Sequence, residues 1–308
     1  MKLLPSGFIL NGDPYYSPKI SLCPFSFESR KKFDRFNKTG LNIMSDLFQG
    51  HEWGFVESGK FAISVALSKL SLLKDDEIWI ITSSGNNYVS RCVTEEISKF
   101  CNWSMQKSGK TRAAYVIHEF GRDSRQLVES LVGTGMPVIE DAAYGLLTAL
   151  KSDWTFGQAD FTIFSFPKAF EMQSGGILVG SKTSKSEIDT ELVQSISRAA
   201  SNWIVDYQGI SLVRQDNHKA LTRNVCDLGL KPSYSLSSKE VPGIFMFDVP
   251  EKVDLNEMKI FFNSHGCEST VFYGHRAYVI PVHQNIGVKQ IEYFVELLNY
   301  FVSDLNAV

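Results

Sequence analysis

Phe161-Thr162-Ile163-Phe164-Ser165-Phe166-Pro167-Lys168, with Gly175-Gly176 following seven and eight residues beyond the lysine, is the stretch on which the fold turns. Phe161–Phe166 and Gly176–Gly180 are short apolar runs on either side of a turn-like Pro167–Gly175 segment, and each reads as a strand. Working back toward the N-terminus, strands are expected at Pro137–Glu140, Ala113–His118 and Glu77–Thr82. Helices are expected between them at Asp123–Leu131 and Val89–Phe100, with a further helix over Phe61–Leu73. Strand and helix in alternation predict an α/β chain with a mostly parallel central sheet covered by helices. In such sheets ligands sit beyond the carboxyl ends of the strands, so the residues that follow each strand are the place to look for chemistry.

Working forward, the character changes near residue 200. Turns rich in Ser, Lys and Pro fill Lys231–Pro242, strands are expected at Ile244–Val249, Glu268–Phe272 and Tyr278–Val282, and Val288–Leu305 reads as an amphipathic helix. Its apolar stripe is Ile291, Phe294, Val295, Leu298 and Phe301. The 308 residues therefore divide into a large domain over 1–200, with an N-terminal arm, and a smaller α+β domain over 201–308.

Composition narrows the class of function. Hydrophobic residues are 44% and charged residues 21%, an ordinary globular mixture, and 22 Phe with 11 Tyr supply core material. Thirty-one Lys and Arg against 34 Asp and Glu give a net charge of −3, which provides no broad basic field for nucleic acid. No apolar run approaches the ~18 residues of a membrane helix, and Met1-Lys2-Leu3-Leu4-Pro5 does not read as a signal peptide. Five cysteines, Cys23, Cys92, Cys101, Cys226 and Cys267, are odd in number and lack any C-x-x-C pair, so neither a disulfide framework nor a metal site is expected. Each is read as a buried, inert thiol, and the compartment as reducing and cytoplasmic.

Three places could carry chemistry. Gly54–Lys60 matches a P-loop through its lysine, but Phe61 stands where Ser or Thr must reach magnesium and no apolar strand is expected before it. Ser58-Gly59 opens the Phe61 helix, whose first-turn N–H groups suit a phosphate; on the residues alone Ser58 serves equally as an N-cap. Asp141 follows a strand and is backed by Ala142 and Ala143, which leaves room for a flat ligand, while Glu140-Asp141 alone could also cap the next segment. Lys168, just beyond a strand and stiffened by Pro167, is a candidate Schiff-base former, against the ordinary reading of a solvated surface lysine.

These pieces occur in an order that resembles the DegT/DnrJ/EryC1/StrS sugar aminotransferases, pyridoxal-phosphate enzymes of fold type I. The resemblance rests on Ser58-Gly59-Lys60-Phe61-Ala62, Asp76–Ile80, Val116–Gly121, Val138–Ala143, and Phe164–Lys168 through Gly175-Gly176, with a weaker echo in Ile280–His283. It spans most of the chain and makes 1–200 the cofactor-binding domain. It implies that Lys168 links to pyridoxal phosphate and, when released, carries the proton between the substrate α-carbon and the cofactor. It also implies that Asp141 pairs with the pyridine nitrogen and keeps it protonated. By the same resemblance Tyr88 stacks on the ring, where the residue-level alternative is a core aromatic. Ser58, Ser165 and the N–H groups of Gly59, Lys60 and Phe61 hold the phosphate, and Tyr144 touches the cofactor where relatives carry Gln or His. His118 matches a strand-end position and is read as structural.

Ser165 and Lys168 are three residues apart, against five in the family, which predicts either a tighter loop or a serine that no longer reaches the phosphate. The chain is shorter than typical members, and the Gly-x-Asn segment by which a neighbouring subunit completes the phosphate site is replaced, if at all, within residues 201–224. What the resemblance implies is a homodimer that transfers an amino group from an amino acid such as glutamate to a nucleotide-linked keto-sugar, for surface-polysaccharide or related amino sugars. Lysine at 168 favours amination over the family's dehydratase branch, which has histidine there. The alternatives are another fold type I reaction of lyase type and a non-catalytic relative that binds cofactor or sugar.

Overall fold

A computed structural model describes residues 20–25, 36–180 and 190–306. The Met1–Pro5 reading and the N-terminal arm before residue 20 lie outside the described residues. The chain divides into two compact units. The larger takes 25–208 with 238–241, and the smaller takes residues up to 24, 209–237 and from 242 onward.

In the larger unit the elements run α1 (Lys38–Leu47), β1 (Trp53–Val56), α2 (Gly59–Ser68), β2 (Glu77–Thr82), α3 (Arg91–Phe100), β3 (Asn102–Ser104) and β4 (Thr111–Ile117). They continue through α4 (Arg125–Glu129), β5 (Val138–Asp141), α5 (Leu146–Lys151), β6 (Phe161–Ser165), α6 (Phe166–Ala169), β7 (Gly176–Val179) and α7 (Glu191–Trp203). The seven strands form one sheet in the order β1-β7-β6-β5-β4-β2-β3. β7 is antiparallel to both its neighbours, and the pairs from β6 to β3 are parallel. The expected mostly parallel α/β sheet is what the chain builds.

The period of two along each strand decides which side chains can meet. Ala113 and Tyr115 of β4, Ile139 of β5, and Phe161 and Ile163 of β6 pack in one apolar cluster with α2 and α3. Ala114, Val116 and Val138 belong to a second cluster, with Val128 and Leu131. Continuing the alternation, Asp141 and Ser165 share the α2 face with Tyr115, whereas Glu140 points to the opposite one.

Helix α2 is apolar on most sides, with Ala62, Ile63, Val65, Ala66 and Leu67 buried, so packing rather than surface polarity holds it. Ser58 caps it, its Oγ accepting from Phe61 N at 3.0 Å. The helix stops at Ser68, short of the expected Leu73, because Ser71 takes a left-handed φ of 49° and Asp76 Oδ2 accepts from Leu73 N at 2.7 Å, turning the chain into β2. Leu70 and Leu72 continue the apolar pattern but pack on the core from this turn. Gly54 lies inside β1, so Gly54–Lys60 is a strand followed by a helix start and not a phosphate-wrapping loop.

The smaller unit contains α8 (Tyr207–Asp227, whose first two residues fall in the larger unit), β8 (Lys231–Pro232), β9 (Phe245–Asp248), α9 (Leu255–Ser264), β10 (Thr270–Phe272), β11 (Ala277–Ile280) and α10 (Val288–Asn306). Its four strands pair antiparallel in the order β10-β11-β9-β8. Phe245, Phe247, Phe262, Tyr278 and Phe294 fill its core, with Ile291, Leu297 and Leu298 of α10 against them. Among the described residues no helix is long and apolar enough to cross a membrane. The uniform reading of the cysteines needs correction: Cys101 and Cys267 are buried, whereas Cys23, Cys92 and Cys226 are exposed. Cys92, for example, sits in the first turn of α3 among the exposed positions of that helix.

Candidate active site

The carboxyl ends of β4, β5 and β6 bring the first group together. Asp141 is 6% exposed; its Oδ2 accepts from Tyr115 Oη at 2.7 Å and its Oδ1 from Ala143 N at 3.0 Å. Burial raises the proton affinity of this carboxyl above its ordinary range, against the pull of both hydrogen bonds and of the nearby His118 and Lys168 charges. Burial, then the neighbouring Asp141, also raises the Tyr115 hydroxyl well above its usual value, so the phenol stays a donor. Tyr115 is a site residue the sequence reading missed. The signal was present: a large polar-tipped ring behind Ala113 and Ala114, in register to share a face with Asp141.

Behind Asp141, on the other face, lies a second buried set. Glu140 Oε2 accepts from Thr162 Oγ1 at 2.6 Å, and its Oε1 is 3.0 Å from His118 Nε2 in a skewed approach. Ser124 N donates to His118 Nδ1 at 3.0 Å, so the neutral ring carries its proton on Nε2. His118 is a satisfied buried residue that braces the strand ends, in keeping with its structural reading.

At the start of α2, Gly59 comes against the end of β6. A Cβ at Gly59 would lie 3.1 Å from Ser165 Cβ and 3.3 Å from Ser165 Oγ, so glycine here permits the approach. Gly176 is equally constrained, since a Cβ there would fall 2.3 Å from the Phe164 carbonyl oxygen. Gly175 N donates to Glu57 O at 2.7 Å and locks the glycine pair beside Ser58. The short Ser165–Lys168 spacing is realised as the single turn α6, with Phe170 N donating to Phe166 O at 2.7 Å. Of the two outcomes left open by the spacing, the tighter connection is the one observed, and Ser165 stays beside the helix start.

Lys168 is exposed on α6, and its Nζ lies 4.9 Å from the centroid of the Tyr144 ring. Tyr88, 40% exposed, lies on the loop after β2, which removes the core-aromatic alternative. That loop is tied down by Asn86, whose Oδ1 accepts from Tyr88 N at 2.6 Å. Two expected phosphate contacts are modified. Phe61 N is already occupied by Ser58 Oγ, and the Lys60 ammonium is turned toward α3, 3.2 Å from Glu96 Oε1 and 3.7 Å from Glu95 Oε2. Lys60 therefore offers its backbone amide and not its charge. Among the described residues no group of three or more His, Cys, Asp or Glu side chains is placed to hold a metal ion.

No protein-family model and no curated protein matches the sequence. Solved structures do match. A DegT DnrJ EryC1 StrS aminotransferase from Brucella abortus superposes with a TM-score of 0.65 at 10% identity, over 89% of this chain and 93% of that one. NtdA from Bacillus subtilis with bound cofactor PMP gives 0.69 at 14% identity, over 90% of this chain and 80% of that one. DesI in the presence of its TDP-sugar product gives 0.70 at 13% identity, over 96% of both chains. The chain thus has the fold of the DegT/DnrJ/EryC1/StrS aminotransferases, the fold type I architecture.

Proposed function

We propose that this protein is a pyridoxal-phosphate-dependent aminotransferase that moves an amino group from an amino acid, in the first instance glutamate, to a nucleotide-linked keto-sugar. One observation carries the reading: Asp141, held by Tyr115 and Ala143, sits at the strand ends with Ser165 and the α2 N-terminus on the same face, and Lys168 follows one turn later. The fold shared with NtdA and DesI supports it, because those structures hold PMP and a TDP-sugar respectively.

The residues fit the cofactor at both ends. A protonated ring nitrogen would complete the set that Tyr115 and Ala143 begin around the buried Asp141 carboxylate, and would offset the burial that now penalises its charge. Ser165 Oγ, Ser58 and the first-turn amides of α2 suit a phosphate. When bound, pyridoxal phosphate supplies a carbonyl that links to amines and a ring that draws electrons from the carbon losing its proton. Asp141 keeps the proton on the ring nitrogen. Lys168 takes the proton from the donor's α-carbon and, in the second half of the cycle, delivers one to the former ketone carbon of the sugar. Tyr88 covers the ring from the β2 loop, and Tyr144 flanks Lys168.

The same reading makes the protein a cytoplasmic homodimer acting on a precursor of surface polysaccharide or a related glycoconjugate; light scattering tests the dimer. For the activity, 2-oxoglutarate is measured after mixing protein, pyridoxal phosphate and glutamate, with and without a TDP-linked keto-sugar. The proposal expects one equivalent per site without the sugar and continued turnover with it. Absence of 2-oxoglutarate from glutamate under both conditions would sink the glutamate reading, and breakdown of an amino acid without any acceptor would point to a lyase.

A further inference from the structure

The turn after β4 holds a backbone conformation that a bulky residue does not adopt without compensation. Phe120 has φ 58° and ψ 26°, in the left-handed region, and Gly121 follows at φ 92°. Two anchors pay for it. On one side the buried Glu119 carboxylate accepts from Ser83 Oγ at 2.9 Å, Ser84 N at 2.7 Å and Asn86 Nδ2 at 2.7 Å, while Glu119 N donates to Ser83 Oγ at 3.1 Å. On the other side Thr148 Oγ1 of α5 donates to the Gly121 carbonyl at 2.7 Å. Strain maintained by so many fixed contacts marks a residue that must point one way.

What the turn presents is an aromatic ring. Phe120 and Tyr144 meet edge to face, centroids 5.7 Å apart and planes at 65°, and Lys168 Nζ stands over the Tyr144 ring. We propose that Tyr144 is the resting platform of the Lys168 ammonium, and that Phe120, mounted on the Glu119-anchored turn, is the positioning residue that fixes the platform. The role rests on the proposed aminotransferase activity. A lysine that carries protons must stay beside the reacting carbon when it is not covalently engaged, and a long exposed side chain otherwise disperses over many rotamers. A ring face attracts the cation through its quadrupole and leaves the three N–H groups unclaimed, where a carboxylate would bind them.

The test uses the full chain without cofactor, its lysines dimethylated with carbon-13 formaldehyde and observed by NMR, with Lys168→Arg identifying the Lys168 signal. Methyl groups above a ring face are shifted upfield by the ring current. The upfield shift is expected in the wild type and in Tyr144→Phe, and its loss in Tyr144→Leu and in Phe120→Asn, a substitution that tolerates the left-handed backbone. A Lys168 signal unchanged in Tyr144→Leu, or lost equally in Tyr144→Phe, overturns the platform; a signal unchanged in Phe120→Asn overturns the positioning role. In the loaded enzyme, Tyr144→Leu is expected to lower kcat of the donor half-reaction roughly 3-fold at unchanged KM, with rescue by Tyr144→Phe. The spectrum is read without cofactor, so a chain that shows the platform but takes up no pyridoxal phosphate breaks the functional reading and not this one.

Discussion

Buried ionisable side chains occur in both units, and their settings differ. In the larger unit Asp141, Glu140, His118 and Glu119 gather at the ends of β4 and β5, each held by named donors, beside an accessible lysine. In the smaller unit the imidazoles are dispersed. His218 packs against Phe245 with ring centroids 5.1 Å apart, and His283 Nε2 meets Ser21 O at 2.8 Å. Burial lowers both imidazoles from 6.5 to about 4, so they are neutral core residues. Burial disfavours the charged form in every case, but only at the β5 end does it act on a carboxylate facing a site of chemistry. The larger unit concentrates its electrostatic tension where a ligand can relieve it, and the smaller unit removes charge from its core altogether.

Four substitutions or titrations can break or sharpen this contrast. The largest effect is expected for Lys168→Ala, which should slow the donor half-reaction about 10²–10⁴-fold while leaving the melting temperature unchanged, since Lys168 is exposed. Stopped-flow absorbance and thermal melts measure the two quantities. A comparable loss of stability would show that the lysine is structural.

Next is the acid sensitivity of the smaller unit. His218 and His283 bind fewer protons folded than unfolded, so their contribution is complete above about pH 6.5 and is lost as pH falls toward 4, by up to about 3 kcal/mol each. Hydrogen exchange of β9 and β11 amides across that window should show the loss, and His218→Gln or His283→Gln should flatten it.

Asp141 carries the opposite sign. Its proton affinity is raised on folding, so the stability it lends is present below the ordinary carboxylate range and is lost as pH rises through its folded value. Asp141→Asn should therefore keep or raise stability at neutral pH while lowering activity about 10²-fold. Urea melts and initial rates on the same preparations separate the two, and a destabilised, active variant would reverse the contrast. The smallest effect is Ser165→Ala, which removes one hydrogen bond to a charged group and should weaken pyridoxal-phosphate binding roughly 10-fold in a fluorescence titration.

Much of the larger unit was legible in the sequence because its strands are short apolar runs in sequence order. Glu77–Thr82 has the ends the sequence predicts, and its side chains alternate between half-buried and buried. β1 was not legible, since Trp53-Gly54-Phe55-Val56 is four residues long, carries a glycine and pairs with β7, far along the chain. Helix α8 was hidden for a different reason: its buried positions include Arg214, Asn217 and His218, which read as an exposed face until their partners are known. Asn217 Nδ2 donates to the Ile286 carbonyl at 2.8 Å, a contact 69 residues away. At the site, the motif residues could be named from the sequence, but Tyr115, Glu119 and Phe120 act through contacts between neighbouring strand ends, which no local pattern displays.

The most direct measurement is an absorbance titration of the purified protein with pyridoxal phosphate, beside Lys168→Ala. The account predicts a saturable visible band in the wild type that the variant lacks and that glutamate converts to the spectrum of the amine form of the cofactor. A wild type without that band, or a band that persists unchanged in Lys168→Ala, would contradict it.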